Sequence, residues 1–365
     1  MRWRSVHVYH YDDDKTDLVL DAVRPVFREL PAGVRAYYVP HWLKGPHLRL
    51  NFEADQRLYD DVVLPAVFEV VGGYLRDRPS TAVVDPQQLH AQHKRLAELE
   101  QERGELSPLR PDNSIHEADY DQRLHVLGTT AAADLLADFY VDTTPLAFDM
   151  TEAVRNGRQL LRLGFDLMVA SAHALSGIGF ARGFVSFRSH SEAFLSWMPE
   201  GEGLRPAWQR HYEQHADALT GRVQAVLATI DTAGPCVPFV RPWVDVMMPY
   251  WQRGAELIEA DQLRMLAGPR PDSAEYAERM RRSPLHRARK DVVVDPVWFA
   301  KFRLMLNYTY LHLTRLGLAP AERFLLCHLA ANAAEDLFGR SAAEVTLPAP
   351  GDGPDPRELV LRGAR

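Results

Sequence analysis

The stretch YYVPHWLKGPHLRLNF, from Tyr37 to Phe52, predicts a β-hairpin that decides how the chain folds. Its two arms are residues 34–39 and 47–52, and the turn between them carries a Lys-Gly-Pro sequence. Successive residues of a strand point to opposite faces of a sheet. The second arm therefore has two faces, which carry Leu48, Leu50 and Phe52 on one side and His47, Arg49 and Asn51 on the other. The hairpin predicts a sheet with one apolar face and one polar face.

Neighbouring stretches extend this sheet. Alternation in WRSVHVYH at residues 3–10 predicts a leading strand, and apolar stripes predict helices at residues 12–30 and 56–71. Alternation in FVSFRSHSEAF, residues 184–194, predicts the closing strand and a helix directly after it. The resulting fold class is α+β, with a ferredoxin-like antiparallel sheet built as a split β-α-β-β-α-β unit.

Helical patterns dominate the remainder, as large insertions and a helical C-terminal third, and residues 107–121 are predicted to be a loop. The predicted organisation is one composite catalytic domain at 1–348, with sheet-forming parts at 1–76 and 183–200, helical parts at 86–175 and 205–340, and a flexible tail at 349–365.

Composition excludes several classes of protein. The chain has 365 residues and a formal net charge of −7, with both signs interspersed, which disfavours a nucleic-acid partner bound through its phosphates. No secretory leader begins the sequence, and no apolar run is long enough to cross a membrane. Cys236 and Cys327 lie far apart and form no ligand-like spacing. We therefore expect a cytoplasmic protein with no membrane partner.

Motifs for cofactor chemistry are missing. The sequence contains no Walker A loop, nucleophile elbow or HExxH helix. The glycines of GIGFARG, residues 177–183, follow a predicted helix and precede a predicted strand, which is the wrong context for a dinucleotide. The pairs His90/His93 and His211/His215 have no evident third ligand, so surface histidines are the better interpretation. We predict neither a cofactor nor a metal.

The polar face of the predicted sheet is the first candidate site. Its members are His7, Tyr9, His47, Arg49, Asn51, Ser186 and Arg188. A solvated outer face would also produce such alternation. However, the set is rich in His, Tyr, Arg and Asn rather than Lys and Glu, which favours a functional face. Both interpretations stay open at this point.

Further candidates lie near the predicted closing strand and on the C-terminal helices. Ser189 and His190 fall at the start of a predicted helix, where the helix dipole would keep the imidazole neutral and able to exchange protons. Tyr310 and Asn307 are polar residues on an apolar helix, and Tyr250 lies in a segment rich in tryptophan. His190 could equally be only a helix-cap residue, whereas the pattern slightly favours satisfied core residues for Tyr310 and Asn307 and a packing role for Tyr250.

Several stretches of the chain resemble one family. WRSVHVYHY, DAVRPVF and HWLKGPHLRLNF near the start, and NYTYLHLTRLGLAPAERFLLCHLAANAAED near the end, resemble the C-terminal domain of lantibiotic dehydratases and its stand-alone relatives in thiopeptide biosynthesis. The resemblance spans most of the chain and is thin in the middle.

The resemblance implies one of three activities on a peptide. Elimination domains release glutamate from glutamylated Ser or Thr. Pyridine synthases join two dehydroalanines by a formal aza-cycloaddition and then expel water and the leader peptide, and a third branch appends amino acids from aminoacyl-tRNA. The chain lacks the E-x-x-R-Y-G-G segment of elimination domains and has FRSHSEAF at a comparable place. Its stand-alone length and HW-x-x-GPH form resemble the pyridine synthases, which we favour.

The resemblance also implies partners and roles. The substrate would be a ribosomal precursor peptide with an acidic leader and a core of dehydroalanines and azoles, and the enzyme would be a cofactor-independent cyclase or lyase. His190 and Ser189 would transfer protons, and Tyr250 or Tyr310 would hydrogen-bond the reacting amide. The residues that would hold the peptide are Tyr9, His47, Arg49, Asn51, Ser186, Arg188 and Asn307.

Two alternatives stay open. They are a glutamate-eliminating lyase of a split dehydratase and a non-catalytic module that recognises the precursor. A homodimer is compatible with the sequence.

Overall fold

The computed structural model describes residues 1–102, 104–198, 201–232, 236–263 and 274–352. The chain divides into two compact units. Unit 1 is built from Met1–Gly157 and Thr314–Gly317, and unit 2 from Arg158–Leu313 and Leu318–Arg365. Most of the predicted tail, residues 353–365, lies outside the described residues.

Unit 1 contains a small four-stranded antiparallel sheet in the order β2-β3-β1-β4. Its elements are β1 (Arg2–Tyr9), α1 (16–28), β2 (Arg35–His41), β3 (His47–Ala54), α2 (56–77), α3 (Pro86–Glu100), β4 (Ser114–Ala118), α4 (Leu124–Leu127) and α5 (Thr130–Arg155). The predicted hairpin and leading strand are confirmed.

The predicted closing strand, within the sheet-forming part at 183–200, is wrong. Val185–Trp197 form a helix of unit 2, and the fourth strand is β4, inside the predicted loop. Buried residues recur in this helix at Phe187, Ser191 and Leu195, at the spacing of helical turns. Alternation over only four residues cannot be told from such a helical pattern, and this misled the prediction.

The hairpin turn depends on a glycine. Lys44 and Gly45 have φ angles of 62° and 122°, so both lie in the left-handed region. A Cβ atom at Gly45 would collide with the ring of Tyr11. Glycine is therefore required here by both backbone conformation and space.

Helices α1 and α2 each accommodate a proline within their length. In both helices a π-helical turn, Val19–Val23 or Tyr59–Val63, comes just before the segment that contains Pro25 or Pro65. Helix α2 also continues through Gly72 and Gly73, beyond its predicted end at residue 71, and stops at Asp77.

The apolar face of the sheet forms the core of unit 1. Val6, Leu50 and Phe52 are fully buried there, against α1, α2 and Phe148 of α5. Burial of such side chains stabilises a fold by about 1.5–3 kcal/mol each. The core therefore fixes which face of the hairpin turns inward, as its alternation predicted.

Unit 1 is completed by a short piece from near the C-terminus. The guanidinium of Arg315 donates to the carbonyl oxygens of Tyr140 and Thr143, at 3.1 and 3.0 Å, and to the hydroxyl of Thr143 at 2.8 Å. It also lies over the rings of Tyr38 and Tyr140. A buried charge needs such partners, because an unpaired charge in the interior is costly.

The described part of unit 2 is helical. Its elements are α6 (Leu160–Ala174), α7 (Phe180–Gly183), α8 (Val185–Trp197), α9 (Gly201–Asp231), α10 (Val240–Glu259), α11 (Ala274–Arg282), α12 (Pro284–Ala288), α13 (Pro296–Arg315, whose end enters unit 1) and α14 (Pro320–Phe338). Helix α14 packs against α6, α8 and α9. Among the described residues, no helix combines the length and apolarity needed to span a membrane.

Candidate active site

Helix α8 carries a row of polar side chains. Ser186, Ser189 and His190 stand at positions i, i+3 and i+4, which places them on one face of the helix. All three are half-buried, whereas Phe187 and Leu195 are buried. The helix thus unites Ser186, which was predicted on a strand, with Ser189 and His190, which were predicted at the start of a helix.

His190 and Tyr310 form a hydrogen-bonded couple. The imidazole Nδ1 lies 2.8 Å from the Tyr310 hydroxyl, which α13 contributes. The same hydroxyl is 3.5 Å from Cys327 Sγ, and the Arg323 guanidinium stacks 4.7 Å from the centre of the tyrosine ring. A phenol, an imidazole and a cation therefore meet at one point of unit 2.

Both members of this couple are held uncharged. Burial, together with the charges of Arg323 and Arg303, lowers the pKa of His190 to about 4. Burial raises the pKa of Tyr310 well above its usual value. The predicted neutrality of His190 thus agrees in direction, but its predicted cause is wrong: His190 lies inside α8 rather than at a helix start.

Ser189 makes its own contact with a second histidine. Its hydroxyl lies 3.0 Å from His286 Nε2, and His286 Nδ1 lies 2.7 Å from the hydroxyl of Ser283. Burial lowers the pKa of His286, and the carboxylate of Glu192 opposes that shift. The adjacent residues Ser189 and His190 are thus each hydrogen-bonded to an ionisable side chain from another helix.

Arg188 points away from this row. Its guanidinium pairs with Glu335 at 2.6 Å and donates to Asn332, both on α14. Asn332 in turn contacts His328 at 2.9 Å. This network fixes α8 against α14, and a contact of Arg188 with a peptide stays a prediction.

The other two candidates of unit 2 lie on the long helices. Tyr250 is buried, edge-on to Tyr308 with ring centres 6.3 Å apart, and the Arg253 guanidinium lies over its ring. Asn307 is half-buried on α13, one turn before Tyr310. Their predicted roles remain predictions.

The polar face of the unit 1 sheet is a cluster of aromatic and imidazole rings. Strand pairing sets His7 opposite Arg49 and Tyr9 opposite His47, and Ser5 lies opposite Asn51. The ring of His47 lies 4.7 Å from that of His7 and 4.6 Å from that of Tyr9. The predicted shared face is therefore confirmed for its five residues from β1 and β3, and wrong for Ser186 and Arg188.

This face is partly closed to solvent: Tyr9, His47 and Asn51 are buried, whereas His7, His41 and Arg49 are half-buried. Burial, with the charge of Arg49, lowers the pKa of His7 to about 3. Burial also holds the pKa values of His41 and His47 well below their usual range. Arg49 contacts His41 Nδ1 at 3.1 Å and His47 Nε2 at 3.4 Å. The carboxylate of Glu102, which lies 3.8 Å from His41 Nε2, and that of Asp121 act on Arg49 through their charges.

Sequence reasoning missed four residues of these clusters. His41 and His116 join the sheet face from β2 and β4, while His286 and Arg323 join the row on α8. The alternation of His41 with the buried Tyr38 and of His116 with Ile115 was a usable signal. Only the folded chain brings His286 to Ser189, since 97 positions separate them.

Comparison with known proteins identifies the family. A family model described as the C-terminal region of lantibiotic biosynthesis dehydratases matches residues 3–334. The chain therefore belongs to this family, as its sequence motifs predicted. A comparison with curated protein sequences gave no match.

Solved structures include a similar enzyme. The pyridine synthase TbtD from thiomuracin biosynthesis shares 40% identity, with 93% of this chain and 99% of TbtD aligned and a TM-score of 0.79. TsrL shares 23% identity over 94% of this chain and 97% of its own, with a TM-score of 0.70.

A third structure is the tRNA-dependent lantibiotic dehydratase MibB from Microbispora sp. 107891. It shares 13% identity, aligns with 93% of this chain over 28% of its own length, and has a TM-score of 0.51. The likenesses to TsrL and MibB show the fold alone.

Proposed function

We propose that the chain is a pyridine synthase of thiopeptide biosynthesis. The observation that carries this proposal is the likeness to TbtD, which at 40% identity runs through nearly the full length of both chains. The substrate is a precursor peptide that contains two dehydroalanines. The enzyme joins them by a formal aza-cycloaddition and then eliminates water and the leader peptide, which leaves a pyridine at the centre of a macrocycle.

The chemistry of this reaction suits the couple formed by His190 of α8 and Tyr310 of α13. One amide must pass to its imidic form before the ring can close, which requires a donor and an acceptor of protons at that amide. His190 and Tyr310 are uncharged and 2.8 Å apart, so each can donate or accept a hydrogen bond without first losing a charge. General acid–base groups of this kind typically contribute about 10²- to 10⁴-fold to a rate.

Holding the two dehydroalanines together supplies the rest of the catalysis. Near-attack geometry can lower a barrier by about 7–11 kcal/mol. We assign peptide holding to two separate sets of side chains. They are Tyr9, His47, Arg49 and Asn51 in unit 1, and Ser186, Arg188, Tyr250 and Asn307 in unit 2.

The acidic leader is assigned to a groove of unit 2. The groove has a volume of about 650 Å³ and lies along α6, α9 and α14. Leu161, Phe165, Leu219 and Leu329 line it, Arg162 adds a positive charge, and His211 and His215 add imidazole rings. Apolar lining beside basic side chains suits a helix that has one apolar face and one acidic face.

A binding measurement checks this assignment. We expect Arg162→Glu to raise the Kd of a fluorescent acidic leader several-fold, and more so at low salt, because it reverses a charge beside the groove. Arg340→Glu, also exposed in unit 2, is the matched control. Equal Kd values for both variants would refute the assignment.

Mass spectrometry of a single reaction tests the function itself. The purified chain is incubated with a synthetic precursor that carries its leader, two dehydroalanines and thiazoles. We expect a macrocycle that is lighter than the linear peptide by the leader and one water molecule. An unchanged peptide would overturn the proposal, and release of glutamate from a glutamylated precursor would instead indicate the elimination activity.

Three further proposals concern the fold, the domain organisation and the place of action. The strand order β2-β3-β1-β4 supports a ferredoxin-like split β-α-β-β-α-β arrangement in unit 1, with β4 as its last strand. The family match over residues 3–334 supports one composite catalytic domain. The low cysteine content supports a cytoplasmic site of action.

A further inference from the structure

A second proton-transfer couple stands beside the first on α8. Ser189 is bonded to His286, and the next residue, His190, is bonded to Tyr310. Their partners come from different helices, α12 and α13. Two such couples on adjacent residues match the two requirements of the reacting peptide amide, whose nitrogen must lose a proton while its oxygen is stabilised.

We propose that His286 is the positioning residue and proton acceptor behind Ser189, which removes the amide proton of the reacting peptide. This inference rests on the proposed pyridine-forming function and adds a residue to it. Ser189 touches the peptide, and His286 acts only through the Ser189 hydroxyl.

The hydrogen bonds around His286 favour this direction of transfer. Ser283 is fully buried and lies 2.7 Å from Nδ1, so Nδ1–H can donate to its hydroxyl oxygen. That arrangement leaves the lone pair of Nε2 to accept the proton of Ser189, 3.0 Å away. A partner on one imidazole nitrogen commonly sets the role of the other in this way.

The transfer balances over the cyclisation step. The amide N–H bond breaks as its proton moves to Ser189 Oγ, while the Ser189 proton moves to His286 Nε2. Negative charge develops on the carbonyl oxygen, which accepts a hydrogen bond from His190 Nε2–H. Once the ring has closed, the His286 imidazolium returns its proton through Ser189 to that oxygen, which becomes the hydroxyl that later leaves as water.

The charges around His286 are compatible with this role. Glu192 and His190 face it from α8, and its neighbours along the chain contribute the exposed Arg281, Arg282 and Arg287. Burial keeps the imidazole neutral in the resting state. The Glu192 carboxylate, itself paired with Arg205, favours the imidazolium once the proton has arrived.

Variants of His286 test the inference with the same mass-spectrometric assay, run as a time course. We expect His286→Ala to lower kcat about 100-fold with KM unchanged, and added imidazole to restore part of the loss. His286→Gln, which can hydrogen-bond but cannot take up a proton, should stay equally slow. Arg287→Gln, exposed on the same short helix, should retain wild-type kcat.

Each outcome has a distinct meaning. Wild-type kcat in His286→Gln, or no response of His286→Ala to imidazole, would show that the contact only ties two helices together. If His286→Ala fails to fold, Ser283→Ala keeps the imidazole and should lower kcat about tenfold, and an unchanged kcat there would overturn the inference. A wild-type enzyme that forms no pyridine would instead refute the proposed function.

Discussion

At the scale of single residues, the His190–Tyr310 couple is notable for carrying no charge at neutral pH. The pKa of the imidazole lies at about 4 and that of the phenol well above its usual value, and burial is the main cause of both shifts. An uncharged couple can approach a neutral amide without separating ions in a poorly solvated site. The couple is therefore suited to hydrogen-bonding a neutral amide rather than to binding charged groups.

Removing either member of the couple should slow the reaction. We expect His190→Ala to lower kcat about 100-fold and Tyr310→Phe about tenfold, because each loses a group that exchanges a proton or hydrogen bond with the substrate. Rates come from the mass-spectrometric time course. His90→Ala, exposed in unit 1, is the matched control, and wild-type turnover by both site variants would refute the assignment.

At the scale of elements, α8 shows how a polar row can be carried by a buried helix. Its inward residues follow the helical repeat, so its sensitivity to mutation should follow that repeat as well. Phe187 is fully buried and Ser186 only half-buried.

We expect Phe187→Ala to reduce the free energy of unfolding by roughly 3–5 kcal/mol, because it leaves a cavity, and Ser186→Ala by less than about 1 kcal/mol. Denaturant titration measures both values. Equal effects would contradict the difference in burial between these two side chains.

Helix α13 ends in the buried cation of Arg315. We expect Arg315→Ala to reduce the free energy of unfolding of unit 1 by roughly 3 kcal/mol or more, because it removes a buried guanidinium that donates to Tyr140 and Thr143 and packs on the rings of Tyr38 and Tyr140. Urea unfolding monitored by tyrosine fluorescence checks this value. Thr314→Ala, its exposed neighbour, should change little, and an equal loss in both variants would refute the argument.

Some of these elements could be predicted from the sequence and others could not. The hairpin and β1 were predictable because polar and apolar residues alternate along β1 and β3, each of eight residues, which favours strands over helices. Strand β4 has only five residues and lies among turn-forming ones, so it resembled a loop. His190 and Tyr310 were each predicted as candidates, but their contact across 120 positions depends on helix packing that carries no local signal.

At the scale of the whole molecule, buried neutral histidines link folding to pH. His7, His41 and His47 all have lowered pKa values in folded unit 1. A histidine in the unfolded chain has a pKa of about 6.5. Above that pH these histidines bind no protons in either the folded or the unfolded state, so they do not reduce the free energy of unfolding. Below it the histidines of the unfolded chain bind protons and those of folded unit 1 do not, so the free energy of unfolding decreases as the pH falls toward about 3.

These three histidines together should contribute a slope of roughly 4 kcal/mol per pH unit below pH 6, since each of them contributes about 1.4 kcal/mol per unit. Urea unfolding at several pH values measures it. His7→Asn should remove about a third of these histidines' contribution, whereas the exposed His90→Asn should leave the slope unchanged. Identical slopes in the two variants would show that His7 titrates normally.

The late position of Arg315 in the chain has a consequence for synthesis on the ribosome. When Gly157 has been translated, 158 further residues separate it from the side chain that fills the space beside Tyr140 and Thr143. At about 5–20 residues per second, that interval lasts roughly 8–30 seconds. During this interval the nascent N-terminal half lacks the guanidinium that packs on the rings of Tyr38 and Tyr140. We therefore expect chaperones to bind the nascent chain mainly in this interval and to dissociate once α13 has emerged.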